Sequence, residues 1–300
     1  MLKLFAFYGR FKVIMKHIQW FPGHMTKAMR MMEENVAVCD GIIYVLDARC
    51  PAASYNPKLK KMAGAKPILY VLNKSDLADA NKTDGFIKLI QSSGAIAVKA
   101  TATGASSKKS LMAAVDKLVE EKRKKSAEKG YNRTFRFMVV GVPNTGKSTV
   151  INLLAGSKRA ITGDKAGVTK SKQWIRCGTF ELLDTPGTMP PAFENQYLAM
   201  HLAFVGSIND DILDFDDVAL KLLEETAERY PKYLNERYGI EGGLTPVEML
   251  EKVCLRRGFI LKGKEYDYER GERAVVDDFR KGRLGYITLD LPEDAEGYVF

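Results

Sequence analysis

The first half of the chain contains four short apolar runs, rich in β-branched or aromatic residues, which predict β-strands. The runs are Gly41–Ala48, Pro67–Leu72, Ala95–Ala100 and Phe135–Val140. Helix-like stretches separate them, and this alternation is typical of a parallel sheet with helices on both faces. Gln173–Cys177 and Thr179–Leu183 flank Gly178 and predict a tight hairpin. The sequence therefore predicts an α/β fold with a mostly parallel sheet.

The pattern changes after about residue 190, where strand-like runs give way to amphipathic helical patterns such as Asp217–Tyr230. The run from Thr245 carries the Thr-x-x-Glu signature of a helix N-terminus, and Gly258 is expected to end that helix. We therefore place a boundary near residues 188–195. An α/β domain is expected over residues 17–190 and a smaller, all-helical domain over residues 191–300.

Composition narrows the possible classes of function. Of 300 residues, 46% are hydrophobic, and 46 Lys and Arg against 37 acids give a net charge of +9. That surplus favours a polyanionic partner, either nucleic acid or a phosphorylated ligand. The four cysteines lie far apart with no Cys-x-x-Cys pair, which argues against a zinc ribbon and a disulfide framework. Because no apolar run approaches about 18 residues, we expect no membrane partner.

Two basic regions are candidates for contact with RNA. The run Lys122–Lys125 is predicted to end a helix between the third and fourth strands. Further basic residues recur from Arg256 to Arg283, interleaved with acids. For both regions a solvated surface and a phosphate-binding surface stay open as interpretations.

Residues 1–16 are treated as an N-terminal extension. They are apolar and basic, but Lys3, Arg10 and Lys12 interrupt the core that a secretory signal needs. Two interpretations stay open, a short mitochondrial presequence and translated sequence upstream of a start at Met15. We favour the second, and with it a cytoplasmic protein; the first would place the protein in mitochondria.

The strongest single motif is Gly141-Val-Pro-Asn-Thr-Gly-Lys-Ser148, which matches the phosphate loop G-x-x-x-x-G-K-[ST] between a predicted strand and a predicted helix. Its glycines let backbone N–H groups surround phosphate oxygens, and the helix N-terminus adds a favourable dipole. Lys147 is expected to reach the β- and γ-phosphates, and the Ser148 hydroxyl to ligate Mg²⁺. The candidate nucleotide-binding residues are Asn144, Thr145, Gly146, Lys147, Ser148 and Thr149.

Asp184-Thr-Pro-Gly187 ends the predicted hairpin. An Asp at a strand end beside the phosphate loop can hold the water shell of Mg²⁺, and the Gly187 N–H can bond the γ-phosphate. Alone, Asp-x-x-Gly is usually a turn. Downstream of a phosphate loop, it predicts the second part of a phosphate site.

Asn73-Lys74-Ser75-Asp76 follows the second predicted strand. The Asp76 carboxylate can accept both N–H donors of a guanine edge, whereas adenine presents a different donor–acceptor pattern. For these four residues alone, an ordinary strand-to-helix turn is the alternative. Combined with the two phosphate motifs, they predict GTP or GDP as the ligand and Mg²⁺ as the cofactor.

The motifs occur in an unusual order, because Asn73 precedes Gly141, whereas ordinary small GTPases carry the phosphate loop first and the guanine motif last. Both follow strands, whose carboxyl ends form the ligand-binding edge of an open α/β sheet. Circular permutation of a chain with neighbouring termini preserves that arrangement. The sequence therefore predicts a circularly permuted GTPase, in which Gly187 leads directly into the helical domain and the γ-phosphate can reposition that domain.

From about His17 onward the chain resembles the YlqF/YawG family of circularly permuted GTPases. The resemblance rests on the three motifs above, on Gln19–Met25 (QWFPGHM) and on Asp47–Pro51 (DARCP). Gly163–Thr169 with Gln173-Trp174 is similar to the first switch of the family. The resemblance to this family implies a slow, ribosome-stimulated GTPase. Such a protein binds large-subunit precursors and rRNA in the GTP state and is released after hydrolysis. A monomer is expected away from the ribosome.

The resemblance also implies roles for individual residues. Thr169 would be the switch threonine that ligates Mg²⁺, and Asn144 would hold a K⁺ ion near the phosphates. His24 would replace the water-orienting glutamine that the family lacks, and with Lys147 and Thr169 it completes the candidate catalytic set. From the residues alone, a packing or capping role for His24 stays equally open.

The chain departs from the family pattern at two positions. Ala166 stands where Pro is usual, and Thr188 stands where a bulky apolar residue usually follows Gly187. The loop that backs the guanine with Ser-Ala in the family is also degenerate here, and it is assigned to the region of Ala100-Thr101. Thr188 and the missing glutamine leave a second function class open, a nucleotide-gated RNA-binding module with negligible hydrolysis. A small-subunit assembly GTPase is disfavoured, because neither a β-barrel nor a zinc-module pattern is visible.

Overall fold

A computed structural model describes residues 18, 22–102, 104, 106–131, 133–156 and 173–300. The strands are β1 (Gly41–Asp47), β2 (Ile68–Asn73), β3 (Ile96–Lys99), β4 (Phe135–Val140), β5 (Gln173–Cys177) and β6 (Phe180–Asp184). In these residues they form one sheet in the order β3-β2-β1-β4-β6-β5, parallel throughout except that β5 runs antiparallel to β6. The predicted mostly parallel sheet is confirmed, and Gly178 forms the β5–β6 turn with a φ of +59°.

Helices connect the strands and then occupy the rest of the chain. Those of the first part are α1 (Gly23–Val36), α2 (Pro57–Ala63), α3 (Ala80–Ser92), α4 (Ser106–Leu118), α5 (Glu120–Glu128) and α6 (Lys147–Ala155). Those after the sheet are α7 (Gln196–Phe204), α8 (Phe215–Arg229), α9 (Pro231–Tyr238), α10 (Pro246–Arg257) and α11 (Tyr268–Arg280). As predicted, α10 begins with a capping box at Thr245 and ends at Gly258 in the left-handed conformation.

One helix boundary differs from the prediction. The basic run Lys122–Lys125 was expected to end a helix but lies inside α5, which continues to Glu128. Ser126 and Ala127 do not interrupt a helix, and the chain turns only at Gly130, whose φ of +74° is unfavourable for other residues.

Alternate residues of the central strands face opposite sides of the sheet, and each side has its own apolar layer. Ile43 and Val45 of β1 lie in the layer that contains Val115 of α4 and Ile151 of α6. Tyr44 and its neighbours on the other side belong to a layer shared with α1, α2 and α3. Both faces of the sheet are therefore covered, as a buried parallel sheet requires.

The helical region packs onto the same side of the sheet as α1 to α3. One apolar cluster extends without a break from Met138 of β4 to Val218 of α8, Leu250 of α10 and Val276 of α11. The segment after α11 then returns to the first part of the chain, where the Leu289 N–H donates to the carbonyl of Arg49 at 2.7 Å. The helices are thus joined to the sheet by a common core. No described helix combines the length and apolar character that crossing a membrane requires.

Candidate guanine-nucleotide site

The phosphate loop connects β4 to α6, and two of its glycines have no room for a side chain. A Cβ on Gly141, where φ is +152°, would lie 2.4 Å from the Val45 carbonyl oxygen. A Cβ on Gly146, where φ is +88°, would lie 2.3 Å from Asn73 Nδ2. The backbone can approach the neighbouring strand ends this closely only with glycine at both positions. The strand–loop–helix context predicted for the motif is therefore present.

Lys147, Ser148 and Asp184 meet where phosphates are expected. The Lys147 ammonium donates to the Val142 carbonyl at 2.8 Å. Burial lowers the pKa of Lys147 to about 8, with nearby Asp184 acting in the opposite direction. The Ser148 hydroxyl donates to Asp184 Oδ2 at 3.1 Å. Burial also raises the pKa of Asp184, although Lys147 opposes this.

The oxygen atoms of this group fit a magnesium ion. Asp184 is 2% exposed, and its Oδ1 is buried without a hydrogen-bond partner within the described part of the chain. Leaving such an oxygen unpaired costs about 1–3 kcal/mol, which a cation or its bound water can offset. A carboxylate and a hydroxyl are hard oxygen donors of the kind Mg²⁺ prefers.

The Asp184–Gly187 segment lies directly against the phosphate loop. A Cβ on Gly187 would be 2.6 Å from Pro143 Cα and 2.9 Å from Lys147 Nζ. The next residue, Thr188, is fully buried, and its N–H donates to the Gly141 carbonyl at 3.3 Å. Its hydroxyl oxygen has no hydrogen-bond partner among the described residues. Thr188, which stands where the family has a bulky apolar residue, thus places a hydroxyl in a buried site where no described residue hydrogen-bonds to it.

The guanine motif is joined to the phosphate loop and to the loop after β3. Asn73 Nδ2 donates to the Thr145 carbonyl at 2.8 Å, and Asn73 Oδ1 accepts the Ala102 N–H at 3.1 Å. The Ser75 hydroxyl lies 3.3 Å from that of Thr101. Asp76 is exposed, so its carboxylate is accessible to a ligand. The structure therefore brings the assigned Ala100-Thr101 loop beside the guanine motif.

Lys74 links this motif to a buried ion pair. Its ammonium donates to the Asn144 carbonyl at 2.6 Å and lies 2.9 Å from Asp47 Oδ2. Arg49 binds both oxygens of the same carboxylate, and its Nη1 donates to the carbonyl of Arg280 at 3.2 Å. Burial would raise the pKa of Asp47, but Arg49 and Lys74 outweigh it and hold that pKa well below its usual range.

Sequence reasoning missed this role of Asp47 and Arg49, which entered only as part of a family motif. The sequence does contain a signal for this contact, because Asp47 is the last residue of β1 and Asn73 is the last residue of β2. These two residues are paired in the parallel register. Polar residues at the ends of neighbouring parallel strands converge on one edge, so Asp47 could have been placed beside Lys74.

The helical region touches the phosphate loop itself. Asn144 has a left-handed φ of +61°, and its Nδ2 donates to the Val205 carbonyl at 3.2 Å, immediately after α7. The Ser207 hydroxyl donates to the Pro143 carbonyl at 2.7 Å. Two consecutive residues of the loop are therefore held by the same turn of the helical region.

The remaining candidates lie at the margin of this site or outside the described residues. His24 is exposed on the first turn of α1. That turn reaches the segment after Gly187, where the Met189 N–H donates to Met25 Sδ at 3.4 Å. Thr169 and the rest of the proposed first switch, residues 163–169, lie outside the described residues, as do residues 1–16.

Comparisons with known proteins agree with this geometry. A family described as 50S ribosome-binding GTPase matches residues 136–238. A protein from Bacillus cereus named ribosome biogenesis GTPase A is 41% identical over 92% of this chain and 95% of its own length. A mitochondrial ribosome-associated GTPase 1 from Ictalurus punctatus is 31% identical over 90% of this chain and 92% of its own. The crystal structure of GNP-bound YlqF from T. maritima superposes with a TM-score of 0.62 and 26% identity, covering 89% of this chain and 99% of that one.

Proposed function

Because the chain belongs to the family of ribosome biogenesis GTPase A proteins, we propose that it is a GTPase that assists assembly of the large ribosomal subunit. The observation that carries this proposal is the meeting of three separate motifs at one edge of the sheet. The phosphate loop, Asp184 and the Asn73–Asp76 motif are joined there by direct hydrogen bonds.

In the proposed complex the backbone N–H groups of residues 144–149 and the Lys147 ammonium hold the phosphates of GTP or GDP. The Asp76 carboxylate accepts the two N–H donors of guanine, while Asn73 braces the loops around it. Ser148 and, through water, Asp184 are the residues that would hold Mg²⁺, together with Thr169. Bound there, Mg²⁺ neutralises charge that develops on the phosphates.

For hydrolysis we propose that Lys147 stabilises the phosphate charge and that His24 orients the attacking water. The Gly187 N–H would bond the γ-phosphate. Asn144 is the proposed K⁺ ligand through Oδ1, since only the oxygen of an amide coordinates a cation; its Nδ2 donates to the Val205 carbonyl. A K⁺ ion beside the phosphates would supply the positive charge that an arginine finger supplies in other GTPases.

The proposed organisation assigns residues 17–190 to the GTPase domain and 191–300 to a helical domain that binds RNA and the ribosome. The protein would act as a cytoplasmic monomer that joins the precursor particle with GTP and leaves after hydrolysis. Contact of Val205 and Ser207 with the phosphate loop supports such coupling, because a loop rearranged by the γ-phosphate would act directly on the helices.

Co-sedimentation of the protein with purified large-subunit precursors tests this proposal. We expect co-sedimentation with a non-hydrolysable GTP analogue, little with GDP, and faster GTP turnover when particles are added. Equal sedimentation with both nucleotides, together with unchanged turnover, would refute it. Mature small subunits serve as the control particle.

A single-turnover assay separates the enzyme from the alternative, a nucleotide-gated binding module. His24→Ala is expected to retain nucleotide affinity and to lose at least tenfold in hydrolysis rate, as removal of a water-positioning group does. His17 lies outside the GTPase motifs, and His17→Ala is the matched control. An unchanged rate in the His24 variant would remove His24 from the chemistry.

A further inference from the structure

Helix α5 gains less from apolar packing than the other α-helices of the described chain. None of its side chains is buried. A helix that is polar on all sides gains little stability from packing, so its exposed side chains are available to bind a partner.

Basic residues follow the acidic first turn of this helix, Glu120 and Glu121, and continue past its end. Residues 122–133 contain six basic residues and one acid, within a chain whose net charge is +9. Three of the basic residues form ion pairs with the rest of the protein: Lys122 and Arg133 pair with Asp40, and Arg123 pairs with Asp116. The others, Lys124, Lys125 and Lys129, are exposed.

The outward-facing lysines are available to an anion. Lys124 pairs with Glu120 at 2.7 Å, but their side chains are 69% and 56% exposed, so water and salt screen this pair. For Lys125 and Lys129 the described ranges contain no ion-pair partner. In the helical region Arg273, Arg280 and Lys281 each pair with an acid, whereas Lys262 and Lys264 are exposed and have no ion-pair partner among the described residues.

An aromatic ring stands beside these lysines. Tyr131 is 70% exposed, although burying a tyrosine ring is normally favourable. Its backbone is held by the turn that ends α5, in which the Tyr131 N–H donates to the Ser126 carbonyl at 2.9 Å and Gly130 has a φ of +74°. An exposed ring two residues from an exposed lysine is the combination that binds unpaired nucleotides, with bases stacked on the ring and phosphates on the lysines.

We propose that Lys124, Lys125, Lys129 and Tyr131 form a binding surface for single-stranded RNA, here called the α5 surface. It precedes β4, whose far end carries the phosphate loop, so a six-residue strand of about 20 Å separates it from the nucleotide. RNA can therefore occupy it without blocking GTP. The inference rests on the proposed function only in taking an unpaired rRNA segment as the RNA source.

Binding of a fluorescein-labelled 20-nucleotide uridine RNA to the full chain, followed by anisotropy, tests the proposal. Tyr131→Ala is expected to weaken binding about tenfold, as loss of one base-stacking contact does, and Tyr131→Phe to retain it. Lys125→Gln with Lys129→Gln is expected to reduce the slope of log affinity against log salt by about 1.4. All variants keep wild-type GDP affinity.

Comparison variants come from the helical region, which is the competing candidate for RNA binding. Tyr286 is 60% exposed, and Tyr286→Ala removes an equally accessible ring; Lys262→Gln with Lys264→Gln removes the same charge. Loss of binding in these controls but not in the α5 variants would overturn the α5 surface and leave the proposed function intact. Equal competition by a duplex RNA of the same length would overturn the stacking mode. Failure of the wild-type protein to bind any RNA would instead count against the proposed RNA partner.

Discussion

Replacing Asp47 by Asn tests whether the buried ion pair holds the nucleotide site together. The Asp47 carboxylate receives Arg49 Nε at 2.9 Å on Oδ1, and Arg49 Nη2 at 2.8 Å and Lys74 Nζ at 2.9 Å on Oδ2. Asn keeps one oxygen but places an NH₂ group where two cationic donors point. Two charge-assisted hydrogen bonds are lost, each contributing about 1.5–3 kcal/mol.

The expected cost to stability follows from burial. The side chains of Asp47 and Arg49 are 1% and 2% exposed, so the variant leaves a buried guanidinium without its counter-ion. Removing one partner of such a pair costs about 3–5 kcal/mol. Urea denaturation monitored by circular dichroism measures this loss in the free energy of unfolding. A parallel GDP titration is expected to show weaker binding, because Lys74 keeps its hydrogen bond to Asn144 but loses its ion pair with Asp47.

Asp84→Asn is the matched control for this variant. Asp84 pairs with Lys99 at 2.8 Å, but the two side chains are 51% and 52% exposed. An exposed pair contributes about 0–1 kcal/mol, so this variant is expected to change stability little. If Asp47→Asn cost no more than Asp84→Asn, the reasoning from burial and pairing would be refuted.

Three further predictions address the phosphate site and the helical core. Gly187→Ala is expected to weaken GTP binding at least tenfold more than GDP binding in fluorescent-nucleotide titrations, because the new methyl meets the phosphate loop where we propose that the γ-phosphate binds; equal losses would contradict this. Thr188→Val is expected to raise the free energy of unfolding by about 1 kcal/mol, since it removes a buried hydroxyl without a partner; a loss of stability would show that the hydroxyl is paired. Burial lowers the pKa of His201, but its hydrogen bonds to Asp290 and Glu225 outweigh this and raise it to about 9. The stabilisation is complete below an unfolded pKa of about 6.5 and is lost as pH rises through 9, a decline of about 3 kcal/mol that His201→Gln should abolish.

The local elements were predictable because their signals are short-range. Each predicted strand boundary lies within one residue of the observed one. Thr245 and Gly258 satisfy backbone groups of their own helix, so their roles can be inferred without knowing what packs against it. The end of α5 was predicted wrongly because a run of like charges was taken as a boundary, whereas only Gly130 interrupts the backbone.

The nucleotide motifs were also predictable, since each places its chemistry within a few consecutive residues. The contacts between them were not, because they join residues far apart in the chain. Lys74 meets Asn144, and Asn144 meets Val205, only after the sheet and the helical region have packed together. Nothing in the local pattern around any of these residues specifies its partner.

By itself, the sequence predicted which residues bind a guanine nucleotide, and it determined which strands and helices carry them. The order of its motifs also predicted the permutation. Only the tertiary structure decided that Asp47 and Arg49 belong to the site, that the turn after α7 contacts the phosphate loop, and that α5 buries none of its side chains. The physical reason is that burial and long-range pairing depend on how the elements meet, and no short stretch of chain encodes that.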